Sequence, residues 1–147
     1  MDRHDATEEI LAAKKAKGLT FEAIATAVGR HKVWTTAALL GQATMSADEA
    51  RKAVEVLGLG ADVASALQDI PTKGSLDTDV PVDPLIYRFH EITQVYGTTL
   101  KAIIHEMFGD GIMSAIDFEL EVLKKPDPKG DRVVVVMNGK FLPYRKW

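Results

Sequence analysis

The first 70 residues space their apolar side chains three or four positions apart and interrupt them at intervals with glycine. This spacing is typical of amphipathic helices, and a glycine directly after such a run commonly ends one. Thr7, Thr20 and Ser46 stand where helix caps are expected, and Glu49 completes a capping box with Ser46. Residues 1–70 are therefore expected to form a helical domain. Its predicted helices are Glu8–Lys17, Phe21–Val28, Lys32–Leu40, Ala47–Leu57 and Ala61–Leu67.

Residues 71–83 break this pattern, because proline, glycine, serine and aspartate crowd a stretch that has few apolar side chains. Such a composition indicates a linker or an extended arm. We therefore expect a domain boundary here, with a second domain over residues 84–147.

Helical spacing returns after the linker. Apolar residues recur four, seven and eleven positions after Leu85 and form one stripe of a helix, which Gly97 is expected to end. Thr98 can cap the next helix, whose apolar face runs from Leu100 to Met107. Two helices are therefore predicted in this part of the chain.

The spacing changes to every second residue over 114–122, where acidic side chains alternate with apolar ones, as in a strand with one solvated face. Residues 133–136 are a β-branched run. The pair Asn138-Gly139 is a type I′ hairpin signal, with residues 140–144 as the returning strand. The pattern predicts a small antiparallel sheet of about three strands.

The segment Leu19–Ala25, followed by Val28-Gly29 and a third helix, resembles the helix-turn-helix of bacterial repressors. A DNA-binding regulator is therefore one interpretation of the chain. The third helix, His31–Leu40, has one lysine and no arginine, whereas a recognition helix needs basic and polar side chains to reach phosphates and bases. We favour the interpretation that the helical domain serves assembly and does not bind DNA.

The predicted fold class is α+β: an N-terminal helical bundle resembling a repressor helix-turn-helix domain, then two helices and a small antiparallel sheet. A C-terminal unit of about 65 residues with so few elements makes a poor independent core. We expect its apolar runs to be covered by a second chain in an intertwined dimer. Residues 124–129 are expected to form a solvated hairpin loop.

Composition excludes several kinds of site. The 147 residues have a net charge of -3 and include no cysteine, which excludes disulfides, thiolate metal sites and cysteine nucleophiles. The N-terminus lacks the apolar core of a signal peptide, and no apolar run reaches the roughly 18 residues of a membrane span. We expect a cytoplasmic protein with neither nucleic acid nor membrane as a partner.

Arg88 and Glu91 are candidates for a functional pair, because three positions on a helix bring two side chains to one face. Spacing alone assigns them no role, since such pairs are usually solvated. His90 and His105 lack the second ligand of a helical metal motif, so no metal site is expected. Asp110, between two glycines, is either a general base or a residue that stabilises its own turn, and we favour the turn.

Four strings of the second half resemble the signature of the cyanate hydratase (cyanase) family: PLIYRF at 84–89, QVYGTTLKA at 94–102, FGDGIMSAI at 108–116 and GKFLP at 139–143. The helical half is also similar to that family's N-terminal domain, which looks like a repressor domain and does not bind DNA. The resemblance implies a catalytic set of an arginine, a glutamate three residues later and a serine after a Gly-Asp-Gly loop. Arg88, Glu91 and Ser114 occupy those positions.

The same resemblance implies the reaction. Bicarbonate attacks cyanate, the dianionic adduct loses carbon dioxide, and the carbamate left behind breaks down to ammonia and a second carbon dioxide. Bicarbonate is thus a co-substrate, and no metal or organic cofactor is implied. The family also implies a homodecamer, a pentamer of dimers, with sites at the junctions between dimers.

The chemistry of the three side chains suits a site for two anions. Arg88 is permanently charged and has a planar fork that matches carboxylate oxygens. Glu91 is expected to orient that fork, with direct proton transfer as the less favoured alternative. Ser114 is expected to donate a hydrogen bond, since no base accompanies it as a nucleophile would require. One arginine per chain is little charge for a dianion, so we expect two chains each to contribute Arg88.

Overall fold

The structure is a computed structural model that describes residues 1–74 and 76–147. The chain divides into two compact units, Met1–Ser75 and Leu76–Trp147. The described part of the first unit contains five helices joined by short connections, whereas the second unit consists of one helix and a two-stranded antiparallel sheet. The predicted α+β class is confirmed.

Five helices form the first unit, and their ends largely follow the glycine and cap signals of the sequence. Thr20 caps the second helix and Ser46 the fourth, each through a side-chain oxygen that accepts a backbone N–H. The two helices end at Gly29 and Gly58, both left-handed, as predicted. The helices are α1 (Arg3–Ala16), α2 (Phe21–Val28), α3 (Lys32–Leu39), α4 (Ala47–Leu57) and α5 (Ala61–Ala66).

The start predicted for the first helix was wrong. α1 begins at Arg3 rather than Glu8, because Asp2 accepts two backbone N–H groups and forms a capping box with Asp5. The predicted cap, Thr7, lies inside the helix, where its hydroxyl donates to the carbonyls of Arg3 and Leu39.

The core of the first unit is apolar and lies between the five helices, with Ile10, Ile24 and Leu57 fully buried. Arg3 crosses its edge and donates to the carbonyl oxygens of Ala38, Ala43 and Ala66 at 2.8 to 3.1 Å. These carbonyls lie at or just beyond the C-terminal ends of α3 and α5, where helices leave acceptors unpaired. A single guanidinium thus joins the ends of two helices to α1.

The N-terminus of α4 carries a buried carboxylate. Glu49 accepts the backbone N–H of Ser46 at 2.8 Å and also pairs with Arg30. The Ser46 N–H lowers the pKa of Glu49 below its ordinary value of 4.5, with a further contribution from Arg30 and against the opposing effect of burial. A group whose pKa is lower in the folded state stabilises the fold above that ordinary value and loses its contribution as the pH falls through the folded pKa.

We therefore expect Glu49→Gln to lower the free energy of unfolding of the helical unit by about 1 kcal/mol at pH 7. The difference from the wild type should be smaller at pH 3 than at pH 7, because the contribution of Glu49 is lost as the pH falls towards its lowered pKa in the folded state. Urea unfolding followed by Trp34 fluorescence, in a Trp147→Phe background, measures the difference in the free energy of unfolding at each pH. Equal differences at the two pH values would contradict a stabilising role for the ionised Glu49 carboxylate.

One continuous helix, α6 (Pro84–Phe108), occupies the region where two helices were predicted. Asp83 caps it with Pro84 in the first turn, and it passes through Gly97, which does not adopt a positive φ. A glycine costs a helix interior about 1 kcal/mol, which is too little to end a helix whose apolar stripe continues beyond it. The helix ends instead at Gly109, which has φ +89.

The sheet has two long strands, β1 (Gly111–Lys125) and β2 (Arg132–Pro143), and not about three. The hairpin predicted at Asn138-Gly139 was wrong, because both residues lie inside β2 opposite β1. The chain reverses over residues 126–131, which overlap the solvated loop expected over residues 124–129. That segment contains two prolines and Gly130 with φ +125, a conformation that suits a turn.

The second unit buries very little of its apolar surface within one chain. No residue of α6 is buried, and the sheet buries only Gly111 and Ser114. Ile116 is 98% exposed and Val133 75%. Large apolar side chains exposed in such numbers are typical of a surface that associates with another surface.

Candidate functional site

Arg88 and Glu91 lie in the first two turns of α6, beside its apolar stripe. The Arg88 Nη1 donates to Glu91 Oε2, so the contact that the spacing allowed is present. The side chains are 63% and 44% exposed, and a pair this exposed contributes little to stability. A guanidinium has five N–H donors, so the pair leaves most of the Arg88 fork available to an anion.

Ser114 lies at an irregular point of the sheet. Met113 pairs with Phe141 and Phe118 pairs with Gly139, so four residues of β1 face Lys140 alone. Residues 114–117 therefore form a β-bulge with three extra residues, a feature that commonly redirects a side chain next to a functional site.

The Ser114 hydroxyl is held within this bulge. Its Oγ accepts the backbone N–H of Ile116 at 3.0 Å and of Asp117 at 2.9 Å, and the residue is 5% exposed. A hydroxyl has two acceptor positions and one hydrogen, so these two bonds leave it the role of donor. Over residues 1–74 and 76–147, no protein acceptor takes that hydrogen and no basic side chain bonds to the oxygen. The arrangement suits a hydrogen bond to an anion better than nucleophilic attack.

A single chain brings Arg88 and Glu91 together and leaves Ser114 apart from them. From Arg88 to Phe108 the helix rises about 30 Å, and the chain from Phe108 to Ser114 spans about 20 Å at most. The two strands pack mainly on each other, and α6 makes few contacts with them, one of which is the stacking of Phe108 on Phe141 with 5.0 Å between ring centroids. Within one chain, hydrogen bonding joins Arg88 to Glu91, and over the described residues the Ser114 hydroxyl bonds only to its own bulge.

The other candidate residues take structural positions or remain exposed. The Asp110 carbonyl accepts the backbone N–H of Tyr144 at 3.1 Å and so joins the start of β1 to the end of β2. The ring of His90 packs against Tyr87 with 5.7 Å between centroids. Within the described residues, no three His, Asp or Glu side chains come close enough to hold a metal ion.

Basic groups on the helix-turn-helix face are occupied by acidic partners. Lys32, on α3, pairs with Glu22 of α2 at 3.0 Å. Arg30 pairs with Glu49 and lies 5.9 Å from the centre of the Trp34 ring. Each acidic partner cancels a positive charge that would otherwise help to neutralise DNA phosphates, so this face has little net positive charge for DNA binding.

The sequence interpretation missed the bulge and the glycine across from it. Gly139 was assigned to a turn, but it lies on β2 directly beside the Ser114 backbone. A glycine inside a strand commonly marks a bulge or a close approach of two backbones. That signal was present in the sequence, but the hairpin motif obscured it.

The fold and the candidate residues define a class: a two-unit α+β protein in which a helix-turn-helix bundle precedes a long helix and a bulged hairpin. Residues 3–71 match the family model described as "Cyanate hydratase, N-terminal", and residues 78–146 match "Cyanate lyase C-terminal domain". The chain belongs to the cyanate lyase family, which confirms the resemblance seen in the sequence.

Individual relatives agree along the whole chain. A protein named cyanate hydratase from Polaromonas sp. is 55% identical over 147 residues, the full length of both chains. Another of that name from Synechococcus sp. is 60% identical over 141 residues, covering 96% of this chain and 94% of the relative. The crystal structure of cyanase from T. urticae has a TM-score of 0.84 at 43% identity, covering 94% of this chain and 96% of that one. None of these relatives supports the alternative of a DNA-binding regulator.

Proposed function

We propose that the chain is a cyanate hydratase, a lyase that decomposes cyanate with bicarbonate to ammonia and carbon dioxide. The observation that carries the proposal is full-length similarity to relatives of that name, at 55% identity with no uncovered residue. The open fork of Arg88 and the donor hydroxyl of Ser114 support it, because both suit small anions.

The reaction joins two anions, and its atoms balance without any cofactor. A bicarbonate oxygen bonds to the cyanate carbon and gives a dianionic adduct. Uptake of one proton and cleavage of the bond between that oxygen and the bicarbonate carbon release carbon dioxide and leave carbamate. A second proton converts carbamate to ammonia and a second carbon dioxide. The protein must hold two like charges together and stabilise the dianion.

In this proposal, Arg88 binds the anions and Glu91 fixes the direction of its guanidinium through their contact on α6. Glu91 adds a negative charge, so it acts on the arginine rather than on the substrates. Ser114 donates its hydroxyl hydrogen to an oxygen of the adduct, with both acceptor positions already occupied by N–H groups.

Replacing Ser114 with Ala should lower kcat/KM for cyanate by roughly 10- to 100-fold, the typical effect of one hydrogen bond to a charged group. Turnover should persist at that lower level, because no covalent step is lost. Steady-state ammonia release measures it. A carbamoyl group found on wild-type Ser114 by mass spectrometry during turnover would make the serine a nucleophile and contradict the donor role.

Association of chains is the second part of the proposal. The α6 stripe and both strands expose apolar surface that a second chain can cover in an intertwined dimer, and no single chain joins Arg88 to Ser114. A site between chains brings the two together and supplies more than one Arg88 to a dianion. We propose a homodecamer built as a pentamer of dimers, with the helical unit serving assembly.

The partners in this proposal are cyanate and bicarbonate, with neither a metal nor an organic cofactor. No helix among the described residues is long and apolar enough to cross a membrane. The expected cytoplasmic location stays a prediction.

Ammonia release from the purified protein tests the proposed function. We expect release when cyanate and bicarbonate are both present and little when either is omitted. Release with cyanate alone would identify a hydrolase that uses water. No release under any of these conditions would overturn the assignment.

A further inference from the structure

Gly139 is a strand residue whose surroundings leave no room for a side chain. A methyl group there would meet the Ser114 carbonyl oxygen, and Met113 Cγ and Sδ at 2.5 and 3.2 Å. Heavy atoms essentially never lie within 3.0 Å of a Cβ, so the Met113 side chain and the Ser114 backbone would both have to move. The methionine side chain can turn away, but the Ser114 carbonyl belongs to the backbone.

Glycine is not needed at this position for its conformational freedom. Gly139 is absent from the glycines with positive φ, so its backbone conformation is open to alanine. A strand-interior glycine costs roughly 0.5–1 kcal/mol relative to alanine. The structural requirement that remains is space beside Ser114.

The space matters because the carbonyl and the hydroxyl belong to the same residue, Ser114, so a shift of one also shifts the other. The hydroxyl is held by the N–H groups of Ile116 and Asp117, both inside the bulge that begins at Ser114. Gly139 pairs with Phe118, where the regular ladder resumes. A displacement of the Ser114 backbone therefore moves the hydroxyl or breaks the bonds that direct it.

We propose that Gly139 is a positioning residue for the reaction: its missing side chain lets β2 approach the bulge closely enough to fix the Ser114 hydroxyl as a donor. This inference rests on the proposed function. Gly139 touches no substrate in it and acts only through Ser114.

The test is a double-mutant cycle on the full-length protein, with ammonia release as the readout. Gly139→Ala should lower kcat/KM for cyanate by roughly 10- to 100-fold, about as much as Ser114→Ala. In the Ser114→Ala background, Gly139→Ala should change kcat/KM less than about 2-fold, because the group it positions is already gone. Independent, multiplying effects of the two substitutions would overturn the inference.

Asn138→Ala is the matched control, since Asn138 is the exposed neighbour of Gly139 on the same strand. It should leave kcat/KM within about 2-fold of the wild type, as surface changes usually do.

If Gly139→Ala assembles poorly, adding Met113→Ala removes the side-chain clash and leaves the clash with the Ser114 carbonyl. Activity should then stay low in an assembled protein, and full recovery would overturn the inference. Absence of wild-type activity would instead count against the proposed function.

Discussion

Arg88→Lys should reduce kcat/KM for cyanate by roughly 100-fold or more while the protein stays folded and associated. Lysine keeps the positive charge but replaces a planar fork of five donors with a single ammonium group. That group cannot bind two oxygens of one anion side by side, and it cannot keep the present contact with Glu91 while doing so. Steady-state ammonia release measures kcat/KM, and sedimentation velocity measures the association of the chains.

Arg51→Lys is the matched control for this change. Arg51 also pairs with an acid three positions away on a helix, Asp48, at 2.7 Å, but it lies on α4 of the helical unit. Lysine there should leave turnover unchanged. Near-normal kcat/KM in Arg88→Lys would show that turnover does not need the guanidinium fork. Equal losses of kcat/KM in both variants would show that the effect is not specific to Arg88.

Ile92→Asp should separate the chains and abolish most activity. Ile92 lies in the middle of the exposed α6 stripe and is 48% exposed within one chain. A carboxylate buried there by a partner and left unpaired costs more than about 3 kcal/mol, which weakens association by over 100-fold. Sedimentation velocity should show smaller species, and ammonia release should fall with them because the proposed site needs more than one chain.

Lys101→Asp introduces the same carboxylate on the same helix. Lys101 lies nearly opposite the stripe on the helical wheel and is exposed. The Lys101→Asp variant should keep the association state of the wild type. A fully active monomer of Ile92→Asp would refute the shared site, even if the chain still decomposed cyanate.

The sequence predicted the helical unit well because local chemistry determines it. Caps such as Thr20 and Ser46 satisfy N–H groups within three residues, and Gly29 and Gly58 adopt left-handed conformations that other residues avoid. α1 was misplaced because two residues, Asp2 and Thr7, could both cap, and the earlier one also forms a capping box.

The second unit was harder to predict because its strongest local signals are ambiguous. Gly97 lacks the left-handed conformation of a helix end, so α6 continues through it. Asn138-Gly139 has the composition of a tight turn, but β2 pairs with β1 on both sides of it. The choice between turn and strand depends on pairing with distant residues, which local composition does not encode.

The candidate site likewise has one part that local sequence predicts and one part that depends on distant pairing. Helical spacing alone was enough to predict the contact between Arg88 and Glu91. The two N–H bonds to Ser114 depend on the bulge, and the bulge depends on the register against Gly139. The roles of the three residues came from resemblance to a family and stay predictions.

The proposed function requires that bicarbonate, and not water, attacks cyanate. Membrane-inlet mass spectrometry of carbon dioxide, with ¹³C-bicarbonate and unlabelled cyanate, tests it most directly, with a cyanate-free sample to correct for spontaneous dehydration. If bicarbonate attacks, labelled and unlabelled carbon dioxide should initially evolve in equal amounts, each in step with ammonia. Unlabelled carbon dioxide alone, released in step with ammonia, would show attack by water and contradict it.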